Sequence, residues 1–251
     1  MYKKIMQTLL LQVLFFQTAC ADNIPISEAK LQGFKVLYEA LNVENITILD
    51  GIDEGDTYFL KLQYKKLTKQ KILYAFIDKK SAKVYIGTRY EKDGTASVFP
   101  KTKRAKEKIK QGVFFTFGKG EKEIYMVTDP SCPYCKKFEK MTKGKLSNYT
   151  IHVIFQVFSF HKKSPAMVEW IMQGKDDNAK QARMEAVMVD GSKKYESLLS
   201  TKRSVAIEEQ IAKGIKAAQM LEAMGAPMFY DKDFNRLSKE SIINSTKTKK
   251  P

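Results

Sequence analysis

Two thiols three positions apart, Cys132 and Cys135, stand in the segment TDPSCPYCKKFEK, residues 128–140. Cysteines so spaced can ligate a metal, cross-link a loop, or exchange electrons with other thiols. Their setting separates these uses. Cys132 falls where the apolar run KEIYMVT, read as a strand, gives way to a helical pattern, and Pro133 occupies the first helical turn. Proline suits that position because its missing N–H would have had no helical partner. A cysteine there faces free backbone N–H groups and the positive end of the helix dipole, which stabilise a thiolate and lower its pKa. Cys135 follows nearly one turn later, so its sulfur can reach back to Cys132. One sulfur attacks and the other resolves. A zinc site would want a second ligand pair, and the two histidines, His152 and His161, lack the spacing of a metal site. His152 alternates within an apolar strand and reads as a packed core residue, while His161 opens a polar loop. The reading is therefore no metal.

The elements that must position these thiols form an alternating pattern. After KEIYMVT and the helix CPYCKKFEKMTKGKL comes a long β-branched strand, YTIHVIFQVF. Helical segments follow through SPAMVEWIMQG, NAKQARMEAVMV and SVAIEEQIAKGIKAAQMLEAMG, then a short strand PMFYD, a turn and strand at DFNRL, and a last helix, SKESIINS. Strands alternating with helices predict an α/β domain whose sheet is partly parallel. The first half differs. ISEAKLQGFKVLYEAL carries Leu31, Phe34, Leu37, Tyr38 and Leu41 at helical spacing. DTYFLKLQYKKL, KQKILYAFIDKK and SAKVYIGTRYEKDGTASVF alternate apolar and polar residues, with KDG as a hairpin turn. The expected divisions are a leader over 1–21, an N-terminal domain over 22–99, a linker helix over 100–112, and a catalytic domain over 113–251.

Lys3 and Lys4 precede the apolar run IMQTLLLQVLFF and then QTACAD, the pattern of a secretory signal peptide with cleavage after Ala21. The run is too short to span a bilayer comfortably. Cys20 offers an alternative, the lipidated residue of a bacterial lipoprotein, but Gln17 stands where such signals carry leucine. With the leader removed, two cysteines remain, in an oxidising compartment. The net charge is +16, spread along the chain with clusters in PKTKRAKEKIKQG and the tail TKTKK. No nucleic-acid motif accompanies it, so it reads as solvated surface. The hydrophobic fraction of 43% is ordinary for a globular protein, so a buried core is expected.

TDPSCPYCKKF after a strand resembles the active-site segment of the thioredoxin superfamily, and most closely that of the bacterial periplasmic DsbC/DsbG family. GAPMFYD adds to the resemblance: in the superfamily a small residue followed by a cis-proline lies beside the cysteines, and Ala226 and Pro227 match it. The resemblance implies a thioredoxin-like catalytic domain with a helical insertion, preceded by a small α+β, cystatin-like dimerisation domain and a helical linker. It further implies Cys132 as nucleophile, Cys135 as resolving thiol, and Tyr134, Ala226 and cis Pro227 as client-binding residues, with no cofactor. Its partners would be unfolded or misoxidised secreted proteins, a membrane redox protein, and a second copy in a homodimer, in the periplasm. Departures bear on mechanism. Met126 stands where thioredoxin carries a buried acid, Tyr134 cannot supply the charge of the histidine frequent in DsbA-type oxidases, and Ala226 replaces the isomerases' threonine. Lys136 and Lys137 either support the thiolate or simply face water. Three functions therefore remain open: disulfide isomerase, dimeric DsbA-like oxidase, and chaperone-like binder of unfolded proteins.

Overall fold

The structure, a computed structural model, describes residues 24–66 and 69–245. The leader over 1–21, its cleavage at Ala21, Cys20 and the basic tail all lie outside the described residues.

The first sheet has the order β1-β2-β3-β4-β5 and is antiparallel throughout, with β1 at Ile24–Pro25, β2 at Ile46–Asp53, β3 at Thr57–Lys66, β4 at Lys69–Asp78 and β5 at Val84–Ile86. A helix, α1 (Glu28–Leu37), starts at Ser27, whose side chain accepts from the Lys30 N–H. Its Leu31 and Phe34 pack on Ile48, Leu60 and Leu62 of the sheet. The helix comes so close that a Cβ on Gly51 would lie 2.7 Å from a Leu31 methyl, so any side chain there would have to displace that leucine.

Three features here differ from the sequence pattern. The helix expected over residues 26–41 ends at Leu37, and a 3₁₀ turn at Glu39–Leu41 follows. The strand β2 has no clean alternation, because its pairing with β3 shifts between Ile48 and Asp50 and a buried acid, Asp50, sits mid-strand. The stretch after Ile86 adds only a single bridge, Tyr90 to Ala96, around the turn at Gly94.

The second sheet has the order β10-β9-β7-β8-β6. After the helix α2 (Lys103–Gln111) come β6 (Phe115–Phe117), β7 (Lys122–Thr128), α3 (Pro133–Thr142) and β8 (Tyr149–Phe155). The helices α4 (Ser164–Met172), α5 (Asp177–Met188) and α6 (Val205–Met220) follow, then β9 (Met228–Asp231), β10 (Arg236–Leu237) and α7 (Lys239–Ser245). Only β7 and β8 are parallel. They are the two strands joined by a crossover helix, α3, as parallel neighbours require.

Both faces of this sheet are covered. Along β7, Ile124 and Met126 enter the cluster that holds both cysteines, Phe138, and residues of α4 and α5. Tyr125 and Val127 enter the opposite cluster with Ala105 and Ile109 of α2 and Ala217 and Ala218 of α6. Alternate residues feeding two cores explain why the strand reads as a continuous apolar run.

The segment 100–112, expected as a linker, spans no gap: α2 lies against α6. The first sheet docks on the same side. Leu49 of β2 belongs to the α2–α6 cluster, and Ile72 of β4 packs against it. Polar contacts pin the junction. Asp50 accepts from Arg104 and from the Thr102 hydroxyl, and the latter also caps α2. Lys61 donates to the Met220 carbonyl at 3.0 Å and pairs with Glu222 at 2.6 Å. Tyr74 donates to the same Glu222.

Candidate active site

Cys132 is the N-cap of α3 and Pro133 its first residue, so the strand β7 delivers one sulfur to the point where the helix amides are unpaired. Cys132 keeps 7% of its surface exposed and Cys135 none, so an incoming sulfur reaches Cys132 first. The Cys132 thiol is lowered to about 6, chiefly by the hydrogen bond from the Cys135 thiol, with the N–H groups of Cys135 and Tyr134 adding to it; burial and the carboxylate of Asp129 work against it. The same pairing and deeper burial push Cys135 far up. The helix-terminus argument made from sequence is thus one cause, and the partner sulfur is the larger one.

Facing Cys132 is the turn before β9. The Ala226–Pro227 peptide is cis, and the Ala226 carbonyl accepts the Cys132 S–H at 3.5 Å. That carbonyl is engaged with the protonated sulfur and is freed when Cys132 becomes a thiolate. Met228, one residue on, packs against the α2–α6 cluster. Tyr134 stands exposed on the rim between two concavities. One, of about 540 Å³, is lined by Cys132, Pro133, Gln156, Phe158, Phe160, His161, the turn Ala223–Ala226, and Lys71 of β4. The other, of about 550 Å³, runs beside Pro227, Met228 and β10. Exposed Tyr134, Phe160 and Met224 give the first an apolar mouth. Lys71 shows that the first sheet supplies one wall of it.

Two residues that the sequence pattern passed over sit under this site. Asp129, fully buried, accepts four hydrogen bonds: from the Ser131 N–H, the Ser164 hydroxyl, the Phe158 N–H and the His161 ring. The Asp-Pro-Ser run before a helix was a usable signal, since such an Asp closes an Asx turn, as the Ser131 N–H bond does here. His161 was read as opening a polar loop; it lines the cavity with Cys132. His152 was read as a core residue; it is half-buried on β8, stacked on Tyr125 and bonded to Thr116 and Glu123. Met126 is apolar core, as its type dictates. Lys136 is half-buried and Lys137 exposed, and neither is among the causes of the lowered Cys132 pKa.

Comparison with known proteins adds a family model described as a thioredoxin-like domain, which matches residues 101–229. Among solved structures, the chain is similar to Proteus mirabilis ScsC in a transitional conformation, at 13% identity and a TM-score of 0.44, over 59% of this chain and 80% of that one. A periplasmic thioredoxin-like protein from Salmonella enterica serovar Typhimurium gives 15% and 0.45, over 58% and 95%. A protein described as a putative protein-disulfide isomerase from Pseudomonas syringae gives 13% and 0.40, over 54% and 99%. No curated protein matches the chain.

Proposed function

The chain belongs to the thioredoxin-like domain family, and on that premise we propose that it is a thiol:disulfide oxidoreductase of the DsbC/DsbG kind, exchanging disulfides in secreted proteins of the periplasm. The observation that carries the reading is the unequal pair of sulfurs. Cys132, lowered to about 6, is largely thiolate at neutral pH and touches solvent, whereas Cys135 is enclosed and held as a thiol. In the forward step the Cys132 thiolate attacks one sulfur of a client disulfide, and the client's second sulfur leaves with the electron pair. Cys135 then breaks the mixed disulfide or, in an isomerase, a client thiol does so first. The apolar mouth around Tyr134, Phe160 and Met224 fits unfolded clients rather than one defined surface.

A second reading, a disulfide oxidase, rests on the same lowered thiol. Stabilising the reduced form makes the Cys132–Cys135 disulfide more oxidising. Equilibration with glutathione decides between the two, a potential near that of DsbA, about −120 mV, marking an oxidase. The general function is tested with a scrambled disulfide protein: the chain should restore its activity and Cys132→Ser should not. Restoration by Cys132→Ser at the unsubstituted rate would refute the proposal and favour a chaperone-like binder.

We further propose a homodimer through the outer edge of the first sheet. The strand β5 pairs only with β4, and its Tyr85 and Ile86 stand exposed. An unpaired edge beside apolar side chains is a template for a second copy.

A further inference from the structure

Four donors converge on Asp129, and one of them is a ring. Its Oδ1 accepts from the Ser131 N–H and the Ser164 hydroxyl, its Oδ2 from the Phe158 N–H at 3.1 Å and from His161 Nδ1 at 3.0 Å. A carboxylate only accepts, so the ring nitrogen toward it carries the proton, and that fixes the tautomer of the neutral imidazole. His161 is also held from other directions. Its N–H donates to the Phe158 carbonyl, its own carbonyl accepts from the Ser164 N–H, and the Phe160 ring lies edge-to-face at 4.5 Å. The remaining nitrogen, Nε2, has no hydrogen-bond partner among the described residues, while the ring lines the cavity into which Cys132 opens. A reactive sulfur and an imidazole thus line one cavity, with a fully buried carboxylate holding the ring from behind, and disulfide exchange by the two cysteines alone leaves the ring and the carboxylate without a task.

We propose that His161, oriented by Asp129, is the proton donor and acceptor for the client's sulfur. The inference rests on the exchange function proposed above and adds a group to it. In the reducing direction Cys132 Sγ forms a bond to one client sulfur and the client S–S bond breaks. The electron pair goes to the second client sulfur, which takes the proton from Nε2 of the imidazolium and leaves as a neutral thiol. In the oxidising direction Nε2 of the neutral ring takes the proton of an incoming client thiol. The resulting thiolate bonds to Cys132 Sγ, the Cys132–Cys135 bond breaks, and its electron pair passes to Cys135. In an isomerisation the first half is followed by a second client thiol, which gives its proton to Nε2. Its thiolate bonds to the client sulfur of the mixed disulfide, the Cys132–client S–S bond breaks with its electron pair passing to Cys132, and the ring returns to its starting state. Asp129 is the positioning residue, because it holds Nδ1 and keeps Nε2 turned to the cavity. The other titratable or charged groups lining the cavity with the ring are Lys71 from β4 and Cys132 and Tyr134 from the start of α3; the turn Ala223–Ala226 contributes none.

The test exploits leaving groups. An aromatic thiolate such as thionitrobenzoate leaves without a proton, whereas an aliphatic cysteine thiol, pKa about 8.5, gains from one. Rates of the reduced full chain would be measured with dithionitrobenzoate and with a cysteine-peptide disulfide. His161→Gln should lose about 10²-fold on the peptide and stay within about twofold on the aromatic disulfide. Equal losses on both, or none on the peptide, would overturn the inference. Should His161→Gln fail to fold by circular dichroism, the unsubstituted chain in deuterated buffer decides. A larger solvent isotope effect on the peptide than on the aromatic disulfide supports a proton in flight, and equal effects refute it. Unsubstituted protein that exchanges with neither disulfide would overturn the exchange function and this inference together, whereas exchange without the leaving-group difference overturns the inference alone.

Discussion

At the scale of single residues, the chemistry turns on how differently two sulfurs are held. A thiol lowered from its ordinary range to about 6 has a pH signature. Alkylation of the reduced chain by iodoacetamide should rise with pH through a midpoint near 6 and label Cys132, leaving Cys135 unmodified; peptide mapping after digestion reads both. The same shift enters stability. Between about 6 and an ordinary thiol's 8.5, the unfolded chain binds the proton that folded Cys132 has lost. The reduced chain therefore gains stability as pH rises across that window, and the gain is lost as pH falls through 6. Urea denaturation of the reduced protein and of Cys132→Ser should diverge in that interval. The place of the Ala226–Pro227 turn beside the sulfurs came from the family resemblance, whereas the pair of sulfurs was legible in the sequence because spacing and residue type carry it. Asp129 and His161 were not, because what makes them a pair is a loop after β8 folding back under α3, a contact 32 positions apart that no local pattern encodes.

At the scale of elements, most strands and helices of the second half followed the sequence pattern, the exception being β6, Phe115–Phe117, which the pattern did not single out. The strand β7 begins and ends where KEIYMVT does. The first half was harder to read, and β2 shows why. Asp50 and Gly51 break its alternation, yet the acid is satisfied by Arg104 and Thr102 and the glycine makes room for Leu31. Both reasons lie outside the strand. The same holds for Lys61 on β3, a lysine in an apparently solvent-facing register that is 2% exposed against a 30% exposed Glu222. Lys61→Met leaves Glu222 half-buried beside Lys101 and Tyr74 only, and should cost roughly 3 kcal/mol, the low end for breaking a buried pair. Burial lowers the Lys61 amine to about 8. Between about 8 and its ordinary 10.5 the folded state binds fewer protons than the unfolded one, so stability attributable to this group rises with pH there. The unsubstituted chain should gain on Lys61→Met over that interval in urea titrations.

At the scale of the whole molecule, two sheets share one interface and one cavity. A chain cut to begin at Thr102 would lose Leu49 and Ile72 from the α2–α6 cluster, the Lys61–Glu222 pair, and the Lys71 wall of the cavity. Independent folding of the second half is therefore not what the packing favours. The proposed dimer is checked by light scattering. The full chain should show twice its monomer mass and Ile86→Lys should show the monomer, with dithionitrobenzoate reduction unchanged because Ile86 lies on β5, away from the cavity lining. A monomeric full chain would refute it.

The Lys61–Met220 hydrogen bond joins residues 159 positions apart, and that distance sets an order of events during synthesis. A ribosome adding about 5–20 residues per second needs roughly 10–30 s to pass from one partner to the other. Once Ile86 has been made, early in that interval, the first sheet has all its strands, while the face bearing Leu49, Lys61 and Ile72 waits for α6 to emerge. The chain's earliest-made unit is thus the last to be finished, and its docking face is the surface a nascent-chain holdase would find open.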